Sequence, residues 1–274
     1  MRSPRLVAAA ATACLVLGTF DSAAGQDQQA PGRCLELPRG AQPVSLLIVT
    51  GGHPFEASEF FHAFDSMKHV RYSHLIIGQY SIGATADQTP LSFPPGGLQK
   101  YDVILFYDFE QGKVSQLWRD VLSRGKGYVF LHHAIGLFPA SPEMKDIMGG
   151  HVNFFAPVEG LSTSGFRMNV LQHYSVVDPS HPITCGTSSF DLLDEVYETL
   201  DVAPGAHLIL RSDQPSIEKA AGWTWSFDGK RVVYLQPGHG NVFLPEGHGP
   251  SSYQSEPFKR ILERAIYWAA GALR

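Results

Sequence analysis

The sequence predicts an α/β fold built on a mainly parallel central sheet. Between residues 45 and 131, short, continuously apolar runs alternate with segments of helical period. The runs lack the polar alternation of a half-exposed strand, so they read as strands covered on both faces. Strands that alternate with helices imply crossover units, and crossover units imply a parallel sheet.

Each element follows in order. Ser45–Thr50 is an apolar run that breaks into Gly51-Gly52-His53-Pro54, a buried strand ending in a tight turn. Glu56–Lys68 places Phe60, Phe61, Phe64 and Met67 on one helical face. Ser73–Gln79 reads as a second strand, and residues 80–99, with Pro, Gly and Thr, as a long loop. Tyr101–Tyr107 is a third strand, followed by Asp108-Phe109-Glu110. The next helix aligns Val114, Leu117, Trp118, Val121 and Leu122, and Arg124-Gly125-Lys126-Gly127 ends it. Tyr128–Leu131 is a fourth strand with His132-His133 at its carboxyl end. Residues 149–190 are rich in Gly, Pro, Ser and His and read as mostly loop, with a strand at Phe166–Leu171. His207–Leu210 is a strand. Ala221–Phe227 and Arg231–Leu235 flank Asp228-Gly229, a strong hairpin signal. Pro257–Ala270 closes the chain as an amphipathic helix with Phe258, Ile261, Leu262, Ala265, Ile266 and Ala269 on one face.

The amino terminus has the parts of a secretory signal peptide over residues 1–25: Arg2 and Arg5, the apolar run Leu6–Phe20, then Ser22-Ala23-Ala24-Gly25. Residues 26–42 read as a polar linker and 43–274 as the folded domain. The expected location is therefore periplasmic or secreted. Loss of residues 1–25 removes two Arg and one Asp from a chain with 21 basic and 26 acidic residues, so the remainder stays acidic. Clustered basic residues, which nucleic acids and anionic membranes require, are missing. No second apolar run has membrane length. A homo-oligomer is compatible with the sequence. Cys34 and Cys185 remain after cleavage, and an oxidising compartment permits their pairing without the sequence showing that they meet.

In open parallel sheets, ligands bind beyond the carboxyl ends of the strands. Histidines recur there: His53 after the first strand, His132 and His133 after the fourth, and His239 after the last hairpin strand. His151 follows Gly149-Gly150. Neutral imidazole is a common metal ligand and the usual proton carrier near neutral pH. The expected metal ligands are His53, His132, His151 and His239, around zinc or a similar divalent ion. The expected catalytic residues are His132, His133, His239 and Glu110. The expected substrate contacts are His53, Asp108, Asp194, Glu195 and Tyr197. If the pair is extended, His132 and His133 point opposite ways, so only one faces the crevice. Trp223 and Trp225 share one strand face, where core packing outweighs sugar stacking.

These segments together resemble the ThuA-like (trehalose-utilisation) family. The resemblance rests on Val49-Thr50-Gly51-Gly52-His53, Gly127 through Ala134, Gly149-Gly150-His151, Asp178 through Thr184, Asp194-Glu195-Val196-Tyr197, Arg231 through Tyr234, Pro237-Gly238-His239 and Ala265 through Gly271. It covers about residues 44–272. It implies a flavodoxin-like three-layer sandwich of the class I glutamine amidotransferase type. In those enzymes a cysteine nucleophile sits on a sharp turn after a central strand, here at His132 or His133. The late histidine matches His239, but the residue two beyond it is Asn241, not Glu. Imidazole cannot replace a thiolate in thioester chemistry, which argues against a glutaminase. The resemblance also implies a carbohydrate ligand. Two readings stay open beside that of a structural relic with no small ligand. One is a metal- or histidine-dependent enzyme that hydrolyses or eliminates a disaccharide or 3-keto-sugar. The other is a non-catalytic carbohydrate-binding accessory protein using the same crevice.

Overall fold

A computed structural model describes residues 34, 36–37, 41–77, 97–155, 157–215, 217–241 and 250–273. The expected signal peptide and nearly all of the expected loop at 80–99 lie outside the described residues. The first half forms β1 (Val44–Gly51), α1 (Ala57–Asp65), β2 (Val70–Ile77), β3 (Val103–Asp108), α2 (Gln116–Arg124) and β4 (Gly127–Leu131). β2 starts three residues earlier than its apolar run suggests, because it pairs only with β1 and its exposed side tolerates Arg71 and Ser73. A glycine is required at the end of β1. Gly51 has φ +151°, and a Cβ there would lie 1.7 Å from the carbonyl oxygen of Ile77.

The second half adds α3 (Glu143–Met148), β5 (Gly150–His151), β6 (Phe166–Val176), β7 (Phe190–Tyr197), β8 (Asp201–Val202), β9 (His207–Ser212), β10 (Ala220–Phe227), β11 (Lys230–Leu235) and α4 (Glu256–Ala269). The helix α3 is absent from the sequence reading because six residues show too little periodicity, although Met144, Ile147 and Met148 are buried. In the region read as mostly loop, the strand expected at Phe166–Leu171 is present and runs on to Val176 as the eleven-residue β6. The hairpin between β10 and β11 forms at Asp228-Gly229. Both residues have positive φ, 49° and 70°, as a type I′ turn requires.

Nine strands form one mixed sheet in the order β2-β1-β3-β4-β11-β10-β9-β6-β7. The first five are mutually parallel. Their order, with β11 as the fifth strand, is the flavodoxin-like 2-1-3-4-5 arrangement. The class I glutamine amidotransferase-like fold expected from the sequence is therefore the one observed. From β11 onward the pairings are antiparallel, so the sheet is parallel where the histidines emerge and antiparallel in the arm that faces them.

Alternation along the buried strands sorts the core into two layers. Leu46 and Ile48 point to the side covered by α1 and α4, where Phe60, Phe64, Phe258 and Ile261 pack. Leu47 and Val49 point to the side covered by α2 and α3, against Trp118, Val121 and Met144. All six residues expected on the apolar face of the last helix are buried. Trp223 and Trp225 belong to the packing of α3: their indoles donate to the carbonyls of Met148 (2.9 Å) and Asp146 (2.8 Å). No helix among the described residues is long and apolar enough to cross a membrane.

Cys34 and Cys185 form a disulfide across 151 residues of sequence. The expected linker is thus anchored at this point. Glu36 also lies 3.9 Å from Arg260 of α4, and Leu37 packs on the core. A closed loop this long restricts the unfolded chain strongly, so Cys185→Ser is expected to cost about 2–5 kcal/mol of stability. Denaturant unfolding under oxidising conditions measures it, and an unchanged midpoint would count against the clamp.

Candidate metal and acid–base site at the strand ends

The site is built where β1, β4 and β11 end and β7 crosses in front of them. At the end of β4 the chain enters a 3-10 turn over His132–Gly136. His132 has φ +54°, an unusual value for a residue with a side chain. Such strain is stored where surrounding structure holds it. The turn replaces the extended pair expected from sequence, and both rings consequently reach the site. The His132 ring lies 5.1 Å from that of His239 and 5.0 Å from Tyr197, while His133 stacks on His53 at 4.6 Å.

Backbone carbonyls fix the ring protons. His132 Nδ1 lies 2.6 Å from the Gln236 carbonyl, His53 Nδ1 2.6 Å from that of Pro54, and His239 Nδ1 3.1 Å from that of Gly240. A carbonyl only accepts, so each Nδ1 donates, and in the neutral ring Nε2 carries the lone pair. Burial holds the imidazoles neutral. It lowers the pKa of His53 and His132, takes His133 well below the ordinary histidine value, and brings His239 to about 4. Neighbouring imidazoles push His53, His133 and His239 the same way.

Glu195 meets two of these nitrogens. Its carboxylate oxygens lie 3.4 Å from His132 Nε2 and 3.7 Å from His239 Nε2. One ligand atom from each of His132, Glu195 and His239 falls within 4.8 Å of the others. Four-coordinate zinc with nitrogen and oxygen ligands places neighbouring donors about 3.3 Å apart, so the three residues fit a two-histidine, one-carboxylate site with a position left for water.

Strand geometry separates Glu195 from Asp194. Glu195 and Tyr197 share one face of β7 and line a cavity of about 110 Å³ with His53 and His133. Asp194 points the other way. It accepts from the backbone N–H groups of Gly238 (2.7 Å), His239 (3.0 Å) and Glu195 (2.8 Å) and from Ser252 Oγ (2.9 Å). It is a positioning residue, and the expectation that it contacts substrate is corrected. Gln236, not singled out from sequence, does similar work. Its side chain accepts from Tyr174 and donates to the Glu195 carbonyl, at 3.0 and 2.7 Å, while its own carbonyl holds His132.

Three further expectations are corrected. His151 takes no part in the cluster: it lies in β5, with Nε2 2.7 Å from the Leu137 carbonyl, where burial lowers its pKa to about 4. Asp108 and Glu110 do not line the cavity; Phe109 between them does. Asp108 continues the row of Ile104 and Phe106 on the inward face of β3. The Glu110 backbone turns under Phe138, whose N–H it accepts at 2.8 Å. Both carboxyls are fully buried, and their oxygens have no hydrogen-bond partner among the described residues. Burial raises Asp108 well above the usual carboxylate range and Glu110 to about 7. The rest of the cavity wall is Phe109, Phe154, Phe155, Phe166 and Met168, none of which the sequence reading selected. The adjacent aromatic pair Phe154-Phe155 just beyond a Gly-Gly-His turn was its only available signal.

A family model described as trehalose utilisation (ThuA) matches residues 65–269. The chain belongs to the ThuA family. Among solved structures, a ThuA-like protein from Parabacteroides merdae is 15% identical with a TM-score of 0.63, covering 84% of this chain and 90% of that one. A cytoplasmic protein of Salmonella typhimurium LT2 is 10% identical with a TM-score of 0.53, covering 82% and 99%. A glutamine amidotransferase from Thermotoga maritima matches at 11% identity and a TM-score of 0.38, over 72% and 76%. The first two show a shared fold. No curated protein sequence matches this ThuA-family chain.

Glu110 and His151 give this domain opposite pH responses. Glu110 holds its proton in the fold up to about pH 7, so its contribution is full below the unfolded carboxylate value and lost as pH rises through 7. His151 is neutral in the fold down to about pH 4, so its contribution is full above the unfolded histidine value and lost as pH falls toward 4. Glu110→Gln is therefore expected to gain stability relative to the wild type at pH 8 but not at pH 4.5. His151→Gln should flatten the acid side alone. Thermal unfolding across pH 4–9 reads both, and equal shifts at every pH would refute the assignment.

Proposed function

We propose that this ThuA-family protein is an enzyme of carbohydrate metabolism in which His132, Glu195 and His239 bind a divalent metal, zinc or similar, beside a substrate cavity. One observation carries the reading. His132 Nε2, fully buried and bearing a lone pair, faces a carboxylate oxygen 3.4 Å away that also bears lone pairs. Two acceptors in contact need a proton or a cation between them. Hydrogen bonds from Nδ1 to backbone carbonyls are a usual way for a protein to orient metal-binding imidazoles.

A bound metal would polarise a sugar carbonyl or activate a water. This chain's own residues then have distinct tasks. His53 and His133, stacked on the cavity wall, accept or donate a proton at the substrate. Glu195 balances charge. Tyr197 packs on His132 and closes the site behind it. Hydrolysis or elimination of a disaccharide or 3-keto-sugar suits this set, because a keto group acidifies the neighbouring C–H. Thiol chemistry is ruled out for Cys34 and Cys185, which are bonded to each other. The disulfide also supports a periplasmic or secreted setting.

The test is metal analysis of untagged protein, with turnover measured on disaccharides and their 3-keto forms. His132→Ala, Glu195→Gln and His239→Ala are each expected to lower metal affinity at least tenfold, since even second-shell changes cost about 10- to 100-fold. His151→Ala is expected to leave it unchanged. Chelation should abolish turnover. Sugar binding that survives both chelator and His132→Ala, without turnover, would instead support a non-catalytic binding protein.

A further inference from the structure

The cavity wall opposite the histidines is apolar. Phe109, Phe154, Phe155, Phe166 and Met168 supply it, and among the described residues the remaining lining groups are His53, His133, Glu195 and Tyr197. A second sugar ring would bring several hydroxyls against this wall. Each would lose water and find no partner there, a cost of about 1–3 kcal/mol per group. An aromatic ring loses nothing of the kind. The cavity is about 110 Å³, less than the closed apolar cavity on the order of 150 Å³ that accepts benzene, but its half-exposed Phe155 and Phe166 leave it open, so a ring can lie partly outside it. Phe155 and Phe166 of this wall keep 47% and 51% of their surface exposed, so a ligand can reach both from solvent.

The backbone is arranged to present this wall. Phe166 pairs with Tyr197 and Arg167 with Val196, but the next pair is Val170 with Asp194. Met168 and Asn169 together oppose Glu195, and Asn169 has φ +57°. This is a β-bulge. It keeps Phe166 and Met168 on the cavity face while the even-numbered residues beyond it, Gln172 and Tyr174, are buried on the opposite face, Tyr174 in the other core layer.

We propose that the group seated on this wall is the aromatic aglycone of a glycoside, with the sugar held toward His53, His133 and Glu195. The proposal rests on the carbohydrate reading above and specifies its substrate class. Calorimetric titration with phenyl glucoside, methyl glucoside, trehalose and phenol tests it, on protein with and without chelator. Phenyl glucoside is expected to bind at least tenfold more tightly than methyl glucoside or trehalose. The Phe155→Ala, Phe166→Ala double variant is expected to reduce it to the methyl glucoside level. Both side chains are half exposed, so the fold should persist, and thermal unfolding checks this. Met168→Ala, at the bulge, provides an independent loss. Equal binding of phenyl and methyl glucoside, tighter binding of trehalose, or no binding of any glycoside overturns the proposal. Phenol binding as tightly as phenyl glucoside overturns its sugar half. Turnover of sugars without phenyl preference overturns only the aglycone assignment. Phenyl preference without metal or turnover overturns the enzyme reading and leaves the aglycone assignment standing.

Discussion

The buried carboxylate of Asp194 joins the two halves of the sheet. It sits on β7, at the far edge from β2, yet it accepts hydrogen bonds from the loop that leaves β11 and from Ser252 just before α4. Burial raises its pKa, and the N–H donors, the Ser252 hydroxyl and nearby His132 pull the other way. Its immediate neighbours are Glu195 on one side and, through the hydrogen bonds, His239 on the other. Their separation is thus set by Asp194 rather than by contact between them. Such charge-assisted hydrogen bonds are stronger than neutral ones. Gln236 adds a second tie between the same strands. The sheet and a shared core layer already join the antiparallel arm to the parallel strands; these ties add the polar contacts that hold the Glu195 end of β7 against the loop carrying His239.

The parallel half was legible from sequence because its signal is hydrophobic and local. Strands β1, β3 and β4 are covered on both faces and read as apolar runs, and α4 carries a complete apolar stripe. The antiparallel arm was harder to read for a physical reason. β7 runs Phe-Asp-Leu-Leu-Asp-Glu-Val-Tyr, so its buried faces carry acids whose hydrogen-bond partners are distant in sequence. Partners of that kind leave no local trace. The histidines were found because the rule of ligand binding at strand ends needs only element order. Placing His151 among them failed because β5 pairs with β8, outside the main sheet. Asp108 and Glu110 failed because one step of strand alternation decides which of three successive residues faces the cavity, and that residue is Phe109.

The site sets two environments side by side, as ligand pockets commonly do. On one side are imidazoles with their protons pinned to backbone carbonyls and their lone pairs converging on Glu195. On the other is a wall of aromatic rings and a thioether. The apolar wall lowers the local dielectric, which strengthens electrostatic contacts within the cluster. Burial is the largest cause of the downward histidine shifts. Reactive polarity and apolar packing are thus one arrangement here, not separate regions.

The bulge at Asn169 lets a single strand keep two side-chain frames. Upstream, the even-numbered Phe166 and Met168 face the cavity; downstream, the even-numbered Gln172 and Tyr174 are buried on the opposite face. Because the frame changes within the strand, the cavity wall and the core become separately adjustable. Substitutions at Phe166 and Met168 can alter what the cavity accepts while Tyr174 and Gln172 hold the arm in place. Deleting one residue at the bulge would merge the frames, turning the wall residues inward or the core residues out. One extra residue therefore lets this domain change the ligand shape it accepts without renegotiating its interior.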